Sequence, residues 1–417
     1  MNADRVAVDA LAREPAYRWV IVAAGGLMGC MAMGAMFSLP VFLTPIVQAT
    51  GWSRTGVSTA MTISFLALAA SAVGWGMLVD RIGPRAVVLI GAVLLTLGLV
   101  VASRAPNLFV FQIAFGALTG VAASAILPPL MAAVTGWFET QRGLAVSLVS
   151  AGFGMAPMTM SPFAAWLVAR MDWRDAMLVV AAIAFAIMTP TALLVRRPPR
   201  LAAGAERRSV EAGERADIGA AELLTSAPFL ILAATSFLCC ATHSGPIFHT
   251  VGYAIVCGVA PLLAVSIYSV EGLAGMGGRI AFGLISDCFG VKRTLVGGLL
   301  LQAMVALAYA FVRQLDAFYL VAAMFGFTYS GLMPLFAVLA RDNFPVSRMG
   351  VAVGGLSTAS SFGMALGPIA GGWIYDNFAT YSWLFVGSCA AGVGATVMAL
   401  AFRPSRKAEP PLAAQAA

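Results

Sequence analysis

Gly76-Met77-Leu78-Val79-Asp80-Arg81-Ile82-Gly83-Pro84-Arg85 ends one long apolar run and begins the next. Gly283-Leu284-Ile285-Ser286-Asp287-Cys288-Phe289-Gly290-Val291-Lys292-Arg293 does the same in the second half of the chain. Asp80 and Asp287 stand 207 residues apart (287 − 80), and Phe138 and Arg142 recur as Phe344 and Arg348 at an offset of 206 (344 − 138). A nearly constant offset across separate landmarks is what a duplicated unit leaves behind. Two related halves around a central site are a common plan for carriers.

The background against which these loops stand out is oily. Of 417 residues 60% are apolar and 10% charged, and the mean hydropathy is +0.91. A water-soluble domain of this length would carry more than twice that share of charge. A membrane span needs roughly 20 apolar residues at about 1.5 Å rise each. Twelve stretches qualify: 19–46, 56–79, 86–103, 108–136, 143–169, 175–195, 227–256, 262–286, 294–312, 317–340, 350–375 and 381–402. The reading is an all-α membrane protein, twelve transmembrane helices in two pseudo-symmetric six-helix bundles, 19–195 and 227–402. Residues 1–18 and 403–417 are polar tails, and 196–226, with charges of both signs, is the linker. The first apolar run is too long for a signal-peptide core and is read as a retained span.

Orientation follows from the basic residues. Of those in the loops and tails, Arg54, Arg104, Arg170, Arg174 and Arg313 fall on one side and all the others on the side of the termini. The excess of Lys and Arg marks the cytoplasmic side, so both termini are expected there. The net charge of +7 is accounted for by these loops and is no sign of nucleic acid. Lys292 and Lys407 are the only lysines among 25 basic residues, a bias of GC-rich bacteria, which places the chain in a bacterial inner membrane. The six cysteines lie in or beside apolar runs and read as small hydrophobes. No phosphate-cradling loop, metalloprotease helix or nucleophile elbow occurs, so neither an enzyme nor a cofactor is expected.

The paired loops resemble the signature of the major facilitator superfamily, complete at Gly76–Arg85 and degraded at Gly283–Arg293, where Cys288 replaces an arginine. The resemblance implies that Asp80, Arg81, Arg85 and Asp287, with Arg142 and Arg348, close the cytoplasmic side. The competing reading is of solvated loop charges. Two further segments resemble monocarboxylate transporters and oxalate/formate antiporters. They are Trp137–Ala145 leading into Ala151-Gly152-Phe153-Gly154, and Gly278-Arg279-Ile280-Ala281-Phe282-Gly283. In those families the arginine faces the substrate carboxylate. The sequence departs from them in lacking a first-helix lysine, in holding Gly275 where an acidic residue stands one turn before the arginine, and in lacking a second cation in the eleventh span.

Glu271 and Arg279 are the only formally charged residues deep in a span, and each costs about 2.5–3.5 kcal/mol to insert. Eight positions apart, they lie about 12 Å apart along the axis and do not form a one-turn ion pair. Arg279 can then take a carboxylate in two-point contact, or snorkel to the surface. Glu271 is a candidate proton carrier or a partner to a polar group in the first half. His243 and His249 flank Gly245-Pro246, where the seventh helix is expected to open and free backbone groups. His243 is read as a substrate or proton group and His249 as a proton group, each against the alternative of a buried structural histidine. Two histidines six residues apart do not share a helix face, so no zinc site is read. Tyr329 and Ser330 form a candidate hydroxyl pair for the substrate, against simple helix packing.

The expectation is a secondary carrier of a small organic anion, a monocarboxylate by the count of one cation to one carboxylate, moved with a proton by alternating access and functioning as a monomer. The alternatives are an organic-anion exchanger, an exporter of apolar drugs on the same scaffold, and a non-transporting membrane sensor.

Overall fold

The computed structural model describes residues 16–138, 142–196, 220–345 and 349–402. It is an all-helical membrane protein. The helices are α1 (Tyr17–Thr50), α2 (Arg54–Ile82), α3 (Pro84–Ser103), α4 (Leu108–Phe111, Gln112–Leu118 and Thr119–Trp137), α5 (Arg142–Val168) and α6 (Trp173–Leu194). The second half repeats them as α7 (Ala227–Val256), α8 (Pro261–Phe289), α9 (Val291–Phe311), α10 (Leu315–Asn343), α11 (Met349–Phe378) and α12 (Ser382–Ala401). The face on which α1 begins and α12 ends is called the terminal face, and the opposite one the far face.

The duplication is written into the turns. Gly51 and Gly258 end α1 and α7 with φ of 70° and 91°, and Gly83 and Gly290 end α2 and α8 with φ of 88° and 85°. Each pair is 207 residues apart, and each position needs the left-handed backbone that glycine adopts without strain. Arg85 at the start of α3 donates to the Leu193 carbonyl at the end of α6. At the same offset, Lys292 donates to the Leu400 carbonyl at the end of α12 over 3.1 Å. A cation on the last carbonyls of a helix answers the negative end of its dipole.

The change of offset from 207 to 206 also has a structural cause. Asn107 and Gln314, the residues preceding α4 and α10, keep the offset of 207. Within α4 the backbone then widens into a π-helical turn over Gln112–Leu118. An i→i+5 turn takes up one more residue than an α turn, and through the rest of α4 and the loop after it the matches run at 206, as with Pro128 and Pro334.

A short helix, Ala220–Thr225, precedes α7. One expectation is corrected. The seventh helix does not open at Gly245-Pro246 and runs unbroken from Ala227 to Val256. Helix α11 lays Gly363, Gly367 and Gly371 against Phe237, Ser244-Gly245 and His249, where any side chain would collide, and this close contact holds α7 in line. The interruption falls instead in α1, at Ser38, between Tyr17–Phe37 and Leu39–Thr50. Among the described residues ten helices are long and apolar enough to cross a membrane on composition alone. The two that fall short, α8 and α11, carry the glycines and polar groups of the seam between the halves.

The halves meet on the far face and part on the terminal face. One apolar core runs through both halves towards the far face, joining Phe42, Phe111 and Trp173 to Phe248, Tyr253 and Phe385. Towards the terminal face there are two separate cores, one around Ile21, Val134 and Phe138, the other around Phe229, Leu335 and Phe344. A side chain at Gly74, Gly76, Gly277, Gly283 or Gly354, in the terminal-side parts of α2, α8 and α11, would meet only open space.

Candidate functional site

Helices α8 and α10 approach backbone to backbone, and glycines make that possible. A Cβ at Gly326 would strike the Glu271 carbonyl, one at Gly278 the Phe327 carbonyl, and one at Gly275 would stand 2.5 Å from the Ser330 hydroxyl. No carboxylate fits at Gly275, and the acidic group sits one turn away, at Glu271. The close approach sets the Tyr329 hydroxyl within hydrogen-bonding reach of Glu271. Glu271 is buried, and its Oε2 has no hydrogen-bond partner. Tyr268 and Tyr309 are buried close to the same carboxyl group, with the Tyr309 hydroxyl beside Thr250. Buried polar atoms are otherwise almost always paired, so orphaned ones mark a place where a proton, a water or a ligand belongs.

His243 is fixed from behind. Gln302, wholly buried in α9, donates its amide to His243 Nδ1 over 2.9 Å and to the Cys239 carbonyl over 3.3 Å. Its own oxygen accepts from the Cys239 thiol at 3.4 Å. With the amide nitrogen turned to the Cys239 carbonyl, Nδ1 accepts from Gln302 in the tautomer that carries its hydrogen on Nε2. The ring stacks on Tyr329 with centroids 5.1 Å apart and planes 27° apart. His243, Tyr329 and Glu271 thus form one contiguous group drawn from α7, α10 and α8.

Arg279 crosses the seam. From α8 it reaches α5 of the other half, where Nη1 meets the Ser150 carbonyl at a long 3.4 Å. Gly154 faces the guanidinium, and even a Cβ there would lie 3.7 Å from Nη2, so α5 leaves room beside it. A guanidinium has five N–H donors, and among the described residues this carbonyl is the only acceptor it finds. No carboxylate stands within ion-pair distance of Arg279 among the described residues. The side chain is half-buried and directed at the other bundle, not at lipid.

Other predicted residues lie elsewhere. His249 is fully buried further towards the far face, its Nε2 donating to the Pro368 carbonyl over 2.9 Å and its ring beside Tyr381. Its Nδ1 is buried without a partner, and the charged groups nearest it are Arg54 and Asp376 on the far face. Arg81 and Asp287 are exposed on the terminal face, and Arg85 is engaged within its own half by Leu193. Arg348 lies outside the described residues, as do the side chains of Asp80 and Arg142.

The sequence pattern of the Major Facilitator Superfamily matches residues 25–316 and 278–417. The chain belongs to that superfamily. Monocarboxylate transporter 13 of Bos taurus is 26% identical over 370 residues, covering 88% of this chain and 85% of its own. The oxalate:formate antiporter of Oxalobacter formigenes is also 26% identical, over 365 residues and 84% of each chain. Among solved structures, the nucleoside transporter NupG (D323A mutant) superposes with a TM-score of 0.75 at 12% identity, over 93% of this chain and 99% of that one. A bacterial homologue of the lysosomal transporter Spinster, captured facing inward, reaches 0.72 at 17% identity, over 93% and 96%. These two likenesses concern the fold alone.

For a member of this superfamily the sequence reading passed over Gln302, Tyr268 and Tyr309. Gln302 left a usable trace, an amide in the middle of an otherwise apolar span, which is rare and needs a partner. The tyrosines left none, since an aromatic at helical spacing reads as packing.

Proposed function

We propose that this major facilitator is a secondary carrier of a small monocarboxylate, moved together with a proton. The observation that carries the reading is the Arg279 guanidinium at the seam between the halves, which meets one backbone carbonyl and no carboxylate among the described residues. Its planar fork suits a carboxylate in two-point contact. A half-buried guanidinium with no acid beside it among the described residues keeps N–H donors open for a mobile anion. One such cation matches one carboxylate, and the likeness to monocarboxylate transporters and to an oxalate:formate antiporter supports the same chemistry.

In this reading Arg279 anchors the anion. Tyr329 and Ser330 on α10 and the Nε2 hydrogen of His243 offer further hydrogen bonds. Glu271, with its orphaned Oε2, takes and releases the proton, and Tyr329 links it to the anion site. His249 serves as a structural tie. Rocking of one half against the other exposes the site alternately to each face. The distribution of basic residues makes the terminal face cytoplasmic, so the conformation described above opens inward. Asp80, Arg81, Arg85 and Asp287, with Arg142 and Arg348, close that face in the opposite state. The lipid bilayer of a bacterial inner membrane is the surroundings and a single copy the functional unit.

The likeness to the oxalate:formate antiporter also favours a second reading, exchange of one organic anion for another. Uptake of a panel of labelled mono- and dicarboxylates into proteoliposomes, with and without an inward-directed proton gradient, separates the two. The symport reading expects a monocarboxylate to accumulate under the gradient and to acidify the lumen. Uptake that needs a trapped anion and ignores the gradient points to exchange. Transport of apolar cations alone overturns both.

A further inference from the structure

The first helical N–H groups of α2 are capped not by their own loop alone but by the other half of the protein. Ser53 supplies the local cap, accepting from Gly56 N–H over 3.0 Å. The two N–H groups it cannot reach, those of Arg54 and Thr55, donate to the two carboxylate oxygens of Asp376 over 3.2 and 2.8 Å. The Thr55 hydroxyl adds a third bond to Oδ2 at 2.5 Å. Asp376 sits in the last turn of α11, more than 320 residues away along the chain.

The surroundings hold this arrangement in register. Gly372, one turn before Asp376, faces the Thr55 backbone so closely that a Cβ would lie 2.8 Å from its Cα. The Arg54 guanidinium lies 4.2 Å from the Tyr375 ring centroid and donates to the Tyr381 hydroxyl over 3.1 Å. Below, Thr62 donates to the Ala365 carbonyl over 2.7 Å, the next contact between the same two helices. The duplicate position does without such a cap, because Pro261 stands in the place of Arg54 and has no N–H to satisfy. Helix α8, the repeat of α2, begins after Ala260 with no side-chain cap.

We propose that Asp376 is the gating residue of the far face, a carboxylate latch that stabilises the state closed there and open on the terminal face. Opening the far face must pull α11 away from α2. Asp376 then loses three bonds at once, and two helical N–H groups lose their acceptor. Their attraction for a carboxylate is reinforced by the positive end of the α2 dipole. Asp80 occupies the mirror-image place, in the last turn of α2 on the terminal face. The antiparallel pair α2 and α11 therefore carries one aspartate at each end. The latch concerns the balance of conformations and holds whatever solute the site takes.

The test is a distance measurement on the full-length protein in nanodiscs. Nitroxide labels go at Gln48 and Gln314, both exposed on the far face and on opposite halves, in a background freed of the native cysteines. With Asp376 intact the short, far-closed distance is expected to dominate. Asp376→Ala should lower the ratio of far-closed to far-open populations about tenfold. Asp376→Asn, which keeps one carbonyl oxygen and the side-chain shape, should shift it the same way by less. Asp175→Ala removes another exposed far-face acid, one paired with Arg104 within the first half, and should leave the ratio unchanged. Should the alanine variant not insert, the asparagine variant and Thr55→Val decide the matter. An unchanged ratio in both, or an equal shift in Asp175→Ala, overturns the proposal.

Discussion

The two halves share a backbone and divide the chemistry. Their turn glycines, helix-end ties and proline positions match at offsets of 207 or 206 residues. The buried polar groups do not. Glu271 answers to Ser64, Arg279 to Ala72, His243 to Met36, Gln302 to Leu95 and Tyr329 to Ala123. In the first half Ser64 is satisfied locally, by the Ala60 and Phe115 carbonyls and the Thr119 hydroxyl. In the second half the equivalent carboxyl is left with a bare oxygen. Buried atoms without a partner occur in both halves, but in the first they are neutral groups such as Ser58, Ser124, Trp173 and Thr189, and the titratable ones, Glu271 and His249 among them, lie in the second. The first half contributes to the site mainly backbone and space, through Ser150 and Gly154 on α5.

Paired substitutions in the two halves can break this comparison. The largest effect is expected at Arg279. Removing one partner of a buried charge pair commonly costs about 2–5 kcal/mol, so Arg279→Ala should lower kcat/KM for uptake by a hundredfold or more. Ala72→Ser, at the matching place, should leave it within about twofold.

Glu271→Gln keeps the shape of the side chain and removes its titration. Uptake driven by a proton gradient should fall by about ten- to a hundredfold, whereas exchange of labelled for unlabelled substrate should continue. Ser64→Ala is expected to lower thermal stability slightly and leave gradient-driven uptake intact. If Ser64→Ala abolished coupling and Glu271→Gln did not, the asymmetry would be misassigned.

Gln302→Leu comes next. It leaves His243 Nδ1 without its donor and takes a second one from the Cys239 carbonyl, a loss of about 1–3 kcal/mol for buried groups. Thermal stability should fall and KM rise with little change in kcat. Leu95→Met in the first half should do neither. The smallest effects are expected at the matched pair Arg85 and Lys292, where alanine should lower thermal stability by similar small amounts and leave KM unchanged.

How much of this was legible beforehand divides along the same line. The twelve spans, the duplication and the two deep charges could be read because apolar length, loop signature and lone charge are local signals. The helix ends ran longer than read, from Arg54 to Ile82 in place of 56–79, because polar and glycine residues at the seam continue a helix that hydropathy alone ends early. Pro246 read as a break, yet α7 stays whole because α11 packs glycines against it, a tertiary cause with no local trace. Asp376 falls just past the apolar stretch 350–375, and nothing beside it in the sequence marks it out. Its partners are backbone N–H groups of a helix from the other half, and backbone donors have no letter in the sequence.

The central claim is that Arg279 waits for a carboxylate, and equilibrium binding tests it without the complications of flux. The transported carboxylate, radiolabelled, is titrated into the wild-type protein and Arg279→Lys in nanodiscs. The lysine keeps the charge and loses the two-point fork, so the account predicts a Kd raised about tenfold or more with the fold intact. An unchanged Kd would contradict it.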